Sequence, residues 1–499
     1  MKKIKRFSYA VPYVSILILI IFDIIFLFSA IKSQILPTKY FVALTASVSL
    51  ITLLIVFLLF FDKIRHKKCK SILKKVTAYV LAVVLVAISA TGSFVLFKFK
   101  NTLDAITSNE VTESLIGVYV LKDDPAQTVE DLAEYDFGIQ NFGNTDHIND
   151  ALNEIKNIIG DSFSAEDFDT IFKTVDALYS GEVKAIITDI SYIGLIEEID
   201  LYKDFSSKTR LIWKYSALEK NEPLNEEDNS QVSIFDPFVV YLSGSDTHST
   251  YLTKSKSDVN ILAVVNFETH QILLVNTPRD YYIPNPAANG ALDKLTHCGL
   301  YGLSCSAQAL SDLYGCKISY CAQINFTGFK TLVDAIGGIT VYSDMDMPSD
   351  IEKYSVKKGY NYMNGDQALY YARDRHSYAS GDNARGIHQM QILKAIAEKM
   401  LQGQMLTHYL EILDSLEGMF NTDMPTDVMA KLIQRQIDEM IKWDILTYAV
   451  TGTGGSNTTY SIPGFNAYVM YPNEETVNKA SDLINKVLES QIISQSDIG

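Results

Sequence analysis

Positive charge is scarce in this chain: 59 Asp and Glu residues against 43 Lys and Arg leave a net charge of −16 over 499 residues. Binding to DNA or RNA depends on cations that neutralise phosphates. The acidic balance therefore excludes a general nucleic-acid partner, and no nucleic-acid module is recognisable. Cysteine is scarce too, five in all, and Cys298, Cys305, Cys316 and Cys321 are separated by six, ten and four residues. Those spacings match no familiar zinc-ligand pattern. The first long apolar run has no small-residue cleavage site after it and is followed by two more such runs, which argues for a permanent anchor over a removable signal peptide.

Against these absences stands a hydrophobic content of 47%. The two facts fit if apolar residues and negative charge occupy different parts of the chain. Before Phe99 the ionisable residues are nearly all basic, and after it the chain is strongly acidic. Three stretches, Val11 to Ile31, Tyr40 to Phe61 and Val76 to Phe97, each reach the roughly 20 residues needed to cross a bilayer. Asp23 interrupts the first; a carboxylate there is costly, so it is expected to face another helix, lie at a kink or be protonated. Basic clusters lie at Lys2 to Arg6 and between Lys63 and Lys75, whereas the connection between the first two spans has only Lys32 and Lys39. By the positive-inside rule both clusters are cytoplasmic, and everything after Lys100 is outside. In that compartment disulfides persist, so the four clustered cysteines are expected to form two disulfides, or one with free thiols.

The expected organisation is a three-helix membrane anchor (1–100), an extracytoplasmic α/β accessory domain (101–215), a linker (216–233), a candidate catalytic domain (234–485) and a C-terminal tail (486–499). In the accessory region Ser114 to Leu121 reads as a buried strand, Thr128 to Tyr135 and Ala165 to Leu178 as helices, and Val183 to Thr188 as a second strand. Its second half faintly resembles a lobe of a periplasmic solute-binding protein. A spacer or regulatory role is the plain alternative.

After the linker, Phe238 to Leu242 forms a strand that enters Gly244-Ser245-Asp246, and Ser257-Asp258 opens a second strand, Val259 to Phe267. A third, Gln271 to Val275, forms a hairpin with it and ends in Pro278-Arg279-Asp280. Their near-continuous hydrophobicity implies a sheet covered on both faces. In Tyr370-Tyr371-Ala372-Arg373-Asp374-Arg375 an extended chain would point both arginines to one side. Gly381-Asp382-Asn383-Ala384-Arg385 opens a helix on which Asp382, Arg385 and Gln389 share a face, at an N-terminus that itself attracts phosphate. Each piece alone has an ordinary explanation as a turn or a surface ion pair. Four guanidiniums near two Gly-Asp turns, in an acidic protein, suit a pyrophosphate better. Asp246 and Asp258 suit a hard cation such as Mg²⁺.

These elements, in this order, are similar to the LytR–CpsA–Psr family over roughly 235–472. The resemblance rests on GSD at Gly244, SD at Ser257, PRD at Pro278, Lys294 with His297, INFTGFKTLVDAIGGITV from Ile324, YARDR, and GDNAR with Gln389. It implies an α/β/α sandwich with an apolar tunnel for a polyprenyl tail, which the run around Phe326, Phe329, Val333 and Ile336 would line unless it is only core. The implied activity is transfer of a glycopolymer, wall teichoic acid or capsular polysaccharide, from a polyprenyl pyrophosphate to peptidoglycan through a phosphodiester, with Mg²⁺ or Mn²⁺ as cofactor. Carried over by position, Asp246 and Asp258 are the metal ligands, and Arg279, Arg373, Arg375 and Arg385 are the pyrophosphate clamp, with Lys294 and Gln389 beside them. Asp382 is the first choice of base, although an ion pair would weaken it. Two positions depart from the family: His248 and Lys256 stand where arginines are common. The alternatives are a pyrophosphatase acting on the same donor and a non-catalytic membrane-anchored binding or regulatory protein.

Overall fold

The computed structural model describes residues 2–64, 72–107, 111–141, 145–220, 236–247, 252–343, 345–347, 354–374, 382–402 and 408–499. It divides into two units. One comprises 1–105 with 406–414 and 425–441; the other holds the remainder.

The first unit contains α1 (Lys2–Ser33), α2 (Thr38–Ile64) and α3 (Ile72–Thr107), three helices long and apolar enough to cross a membrane. Their outward faces carry exposed Leu17, Phe28, Leu50, Phe57, Val83 and Phe94, as lipid-facing helices do. Asp23 faces inward and accepts hydrogen bonds from Thr52 of α2 at 2.7 Å and Ser89 of α3 at 2.9 Å. One carboxylate thus meets both other helices, and Gly92 leaves room for the Phe26 ring one turn away.

Helices Tyr409–Ser415 and Thr426–Glu439 lie within the bounds expected for the catalytic domain (234–485), but most of this segment groups with the spans. Lys98 pairs with Asp414 at 2.8 Å, Lys39 pairs with Asp438 at 2.7 Å, and Gln434 donates to the Leu36 carbonyl. Periodicity shows that a helix has an apolar face; it does not say which neighbour covers that face.

In the second unit the accessory lobe is a five-stranded mixed sheet. In chain order its strands are β1 (Val111–Leu121), β2 (Asp136–Gln140), β3 (Ser164–Phe168), β4 (Ala185–Asp189) and β5 (Thr209–Lys220). They lie in the order β3-β2-β4-β1-β5, with α4 (Thr145–Ile159) and α5 (Ile171–Ser180) against them. The sequence reading differs in detail. Thr128 to Tyr135 holds only a short 3₁₀ turn, Val129–Leu132. Ala165 to Leu178 splits into β3 and α5, because Thr170 caps a new helix by accepting from the Lys173 N–H. β5 runs five residues past the expected domain end.

The catalytic lobe is built on β6 (Phe238–Ser245), β7 (Ser257–Asn266) and β8 (Gln271–Asn276). Strand Tyr320–Asn325 lies parallel to β6 and Asp444–Ala449 parallel to β8, with Phe420–Thr422 at the edge. The β7–β8 hairpin forms as expected, with His270 in the left-handed region at its turn. Helices Leu303–Tyr314 and Glu474–Leu488 pack on one face through Leu310, Leu483 and Ile484, and helix Asp382–Met400 contacts β7 and β8. The tail is not loose: Ile493 is buried and its N–H bonds to Gln271. Cys298, Cys305, Cys316 and Cys321 are free buried thiols rather than disulfides. Cys298, Cys305, Cys316 and Cys321 all pack in the hydrophobic core, where a cysteine behaves as a small apolar residue.

Candidate active site

The site forms where β6 and β8 end and where β7 and helix Asp382–Met400 begin. The β6–β7 contact is close at Gly244, where a Cβ would press on Val259. Gly386 does the same at the helix start, since a Cβ there would collide with the Asn276 side chain. These two glycines let the ends of the strands and the helix N-terminus converge.

Asp258 is the centre of the cluster. Its carboxylate accepts from Arg279 Nη1 at 2.7 Å and from Arg385 Nη2 at 3.1 Å, one guanidinium on each oxygen. Burial pushes its pKa upward, but Arg279, Arg385 and Lys256 overcome that and hold it well below the ordinary carboxylate range. Gln389 donates to the Ala372 carbonyl at 3.3 Å and lies within reach of Asn276, which ties Arg373's helix to the helix that carries Arg385. Arg373 lies over the Phe326 ring, 4.8 Å from its centroid.

Behind these polar groups is an apolar cavity. Arg373, Arg385 and Gln389 line one part of it, and Phe326, Phe329, Leu332, Ile392 and Ile396 line the rest. Of the four residues expected there, Phe326 and Phe329 line the cavity, whereas Val333 and Ile336 are buried elsewhere.

Asp246 makes no hydrogen bond or ion pair among the described residues. The protein packed around it, and then the charge of Asp258, raise its pKa, while Lys256, Arg373 and Arg279 oppose the shift. Two carboxylates that repel each other, one with its oxygens uncommitted, fit a hard divalent cation. Mg²⁺ commonly takes one or two carboxylates and completes its shell with water and substrate phosphate. No group of three or more metal-ligating side chains occurs among the described residues, so phosphate or water oxygens would have to complete such a shell.

Lys294 is tied to the cluster only indirectly. Its ammonium lies 2.6 Å from Glu198 and 3.6 Å from Asp280, which in turn is 3.6 Å from Arg279. Glu198 also holds Lys256 at 3.0 Å and lies 3.5 Å from His297, whose other nitrogen is 2.6 Å from Asp293. Burial opposes the charge on Glu198, yet His297, Lys256 and Lys294 hold its pKa well below the usual range. Burial opposes the charge on His297 as well, and the two carboxylates around it raise its pKa. Glu198 belongs to the accessory lobe, and nothing in its local sequence singled it out.

Within YARDR, Tyr371 to Arg373 are helical. Helix Gly365–Arg373 carries them, started by the Asn364–Gln367 capping box and buried through Ala368, Leu369 and Tyr371. Only at Asp374 does the backbone become extended. Arg375, His248 and the Asp382 side chain lie outside the described residues; the backbone of Asp382 is the first residue of its helix.

Arg373, Arg385 and Gln389 thus line one cavity with Phe326, Phe329 and Ile392 in the α/β catalytic lobe. The LytR_cpsA_psr family profile matches residues 202–482, more than half of the chain, and the protein belongs to that family. Among similar proteins is the polyisoprenyl-teichoic acid–peptidoglycan teichoic acid transferase TagU of Enterococcus faecalis. It is 31% identical over 229 residues, covering 45% of this chain and 75% of that protein. A protein of the same name from Bacillus cereus is 27% identical over 230 residues, covering 46% and 74%. A solved Listeria innocua protein is 30% identical and covers 51% of this chain and 99% of its own, with a TM-score of 0.40.

Proposed function

We propose that this protein transfers a glycopolymer from a polyprenyl pyrophosphate carrier to peptidoglycan, leaving a phosphodiester. The observation that carries this reading is the pairing of clamp and cavity: Arg373 and Arg385 line the same cavity as Phe326, Phe329 and Ile392. A lipid pyrophosphate has that polarity, with a multiply charged head and a long apolar tail. Wall teichoic acid, which the similar transferases are named for, and capsular polysaccharide both fit the donor. The basic clusters flanking the first spans support, by the positive-inside rule, a site on the outer side, where peptidoglycan lies. Within the first unit, Lys39 at the start of α2 pairs with Asp438 and Lys98 near the end of α3 pairs with Asp414, which supports a common side for those two helix ends.

In this reading Arg279, Arg373 and Arg385 hold the pyrophosphate oxygens, and Arg375 joins them. Guanidiniums do this by bidentate hydrogen bonding. Asp246 and Asp258 hold Mg²⁺ or Mn²⁺, which supplies further neutralisation of phosphate charge when bound. An acceptor hydroxyl attacks the phosphorus bearing the polymer; the phosphoanhydride bond breaks, polyprenyl phosphate leaves and the hydroxyl proton passes to a base. Phosphoryl transfer of this kind is chiefly positioning and electrostatic stabilisation. Asp382, at the helix start, is placed in sequence to serve as base.

Full-length protein in detergent, given a polyprenyl pyrophosphate saccharide and a muropeptide acceptor, is expected to yield a phosphodiester-linked product detectable by mass spectrometry. Release of saccharide phosphate alone, with no adduct on the acceptor, would favour the pyrophosphatase; no turnover at all would favour the binding protein.

A further inference from the structure

The accessory lobe is built into the catalytic lobe. Phe172 and Tyr202 pack on Phe465 at 4.9 and 5.7 Å between ring centroids, and Leu300, Ile462 and Ala467 join the accessory core. β1 reaches across at Glu113 to bridge with Thr253. Between the lobes lies a cleft of about 210 Å³, lined by hydroxyl and charged side chains together with Leu115 and Ile190. Ile190, Ser191 and Gly194 form one wall; Asp246, Lys254 and Ser255 stand opposite. The walls are pinned at one end, where Lys256 donates to the Gly194 carbonyl at 3.1 Å and pairs with Glu198 at 3.0 Å. Gly194 permits this approach, since a Cβ would meet the Lys256 side chain at 3.1 Å. Asp246, whose carboxylate makes no hydrogen bond or ion pair among the described residues, lines this cleft, and the buried hydroxyl of Ser255 has no hydrogen-bond partner among them.

We infer that this interlobe cleft is a saccharide subsite, walled on one side by the accessory lobe. The inference rests on the transferase reading. With the lipid tail in the apolar cavity and the pyrophosphate at the arginines, the sugar next to the reacting phosphorus needs a place that is adjacent to Asp246 and offers hydrogen-bonding side chains. The cleft meets both conditions: beside Asp246 it presents the hydroxyls of Ser191 and Ser255 and the ammonium of Lys254, groups of the kind that recognise sugar hydroxyls. Leu115 and Ile190 add apolar surface, which suits the C–H face of a sugar ring. Two sugars meet the chemistry, the first residue of the donor saccharide and the acceptor sugar of peptidoglycan.

The test uses full-length protein in detergent and three probes: farnesyl pyrophosphate, a polyprenyl pyrophosphate carrying one sugar, and a muropeptide disaccharide added with farnesyl pyrophosphate. The wild type is expected to gain affinity from a sugar in one of the two saccharide arms, and that arm identifies the source. Ser191→Phe, which fills the cleft from the accessory side, is expected to lower the sugar-dependent gain about tenfold, or 1.4 kcal/mol. Ser191→Ala, which adds no bulk, is expected to lower it in the same direction by about threefold, the scale of one hydrogen bond. A wild type that binds sugar-bearing and sugar-free probes equally, or variants that keep the full sugar-dependent gain, would overturn the subsite. A wild type that does not bind farnesyl pyrophosphate but binds the disaccharide in a Ser191-dependent way would instead reject the transferase reading and leave a saccharide site.

Discussion

Arg385 Nη2 lies 3.1 Å from Asp258 Oδ2 although 127 positions separate the two residues, and both are almost fully buried. With Arg279 on the other oxygen, this carboxylate fixes the direction of two guanidiniums before any substrate arrives. Such preorganisation is what a site built for a charged transition state requires.

Asp258→Ala leaves two cations facing each other in a buried place. Breaking a buried pair by removing one partner costs about 3–5 kcal/mol. A lowered melting temperature of the full chain in detergent is expected, together with loss of transfer by two orders of magnitude or more, or about 2.7 kcal/mol. Wild-type stability in this variant would mean that the arginines are held by something else.

Asp246 tests the cation. Mn²⁺ binding to the full chain, followed by calorimetry with and without inorganic pyrophosphate, is expected to be tighter with the anion present, because phosphate oxygens complete the shell. Asp246→Asn is expected to weaken it at least about tenfold, the scale on which losing even a supporting group matters. Equal Mn²⁺ affinity in the two proteins would remove Asp246 from the ligand set.

His297 sets a pH window for the interlobe contact. Its folded pKa is raised above 6.5, so its contribution to stability is complete below that value and is lost as pH rises through the folded value. Glu198 and Asp293 are held below 4.5 and 3.8, so theirs is complete above those values and is lost as pH falls through their folded values. All three contribute together between about 4.5 and 6.5. His297→Gln is expected to melt lower by the most in that window, by about 3 kcal/mol for a broken buried charge contact, with the gap closing toward alkaline pH. A gap that does not change with pH would show that His297 acts through packing alone.

Asp23 ties three helices through Thr52 and Ser89. Interhelical hydrogen bonds in membrane proteins average about 0.6 kcal/mol and reach about 1.7. Asp23→Ala, which removes both, is expected to destabilise the anchor by about 1–3 kcal/mol on that scale, whereas Asp23→Asn keeps the acceptor for one hydroxyl and loses less. Detergent melting of the two variants decides this; equal losses would contradict the hydrogen-bonding role.

Much of this was legible in one dimension. Three apolar runs of membrane-crossing length, the covered β7–β8 hairpin and the helix that carries Arg385 and Gln389 depend on local periodicity, and all three are in the fold. Arginines at a spacing of two do not by themselves reveal that Arg373 ends a helix, since the signal that starts it is the Asn364–Gln367 cap upstream. Thr170 was overlooked in the same way: a cap residue begins a new element inside what reads as a single helix.

The sequence by itself determined the chain's division into apolar spans and an acidic α/β part, and which residues could bear phosphate chemistry, because periodicity and charge are local properties. Tertiary structure alone decided that Asp258 receives Arg279 and Arg385 together, that Glu198 reaches Lys256 and Lys294 from another lobe, and that the helix Thr426–Glu439 groups with the spans. Those pairings depend on which surfaces meet when the sheets and helices pack, and an ion pair between distant residues leaves no periodic trace along the chain.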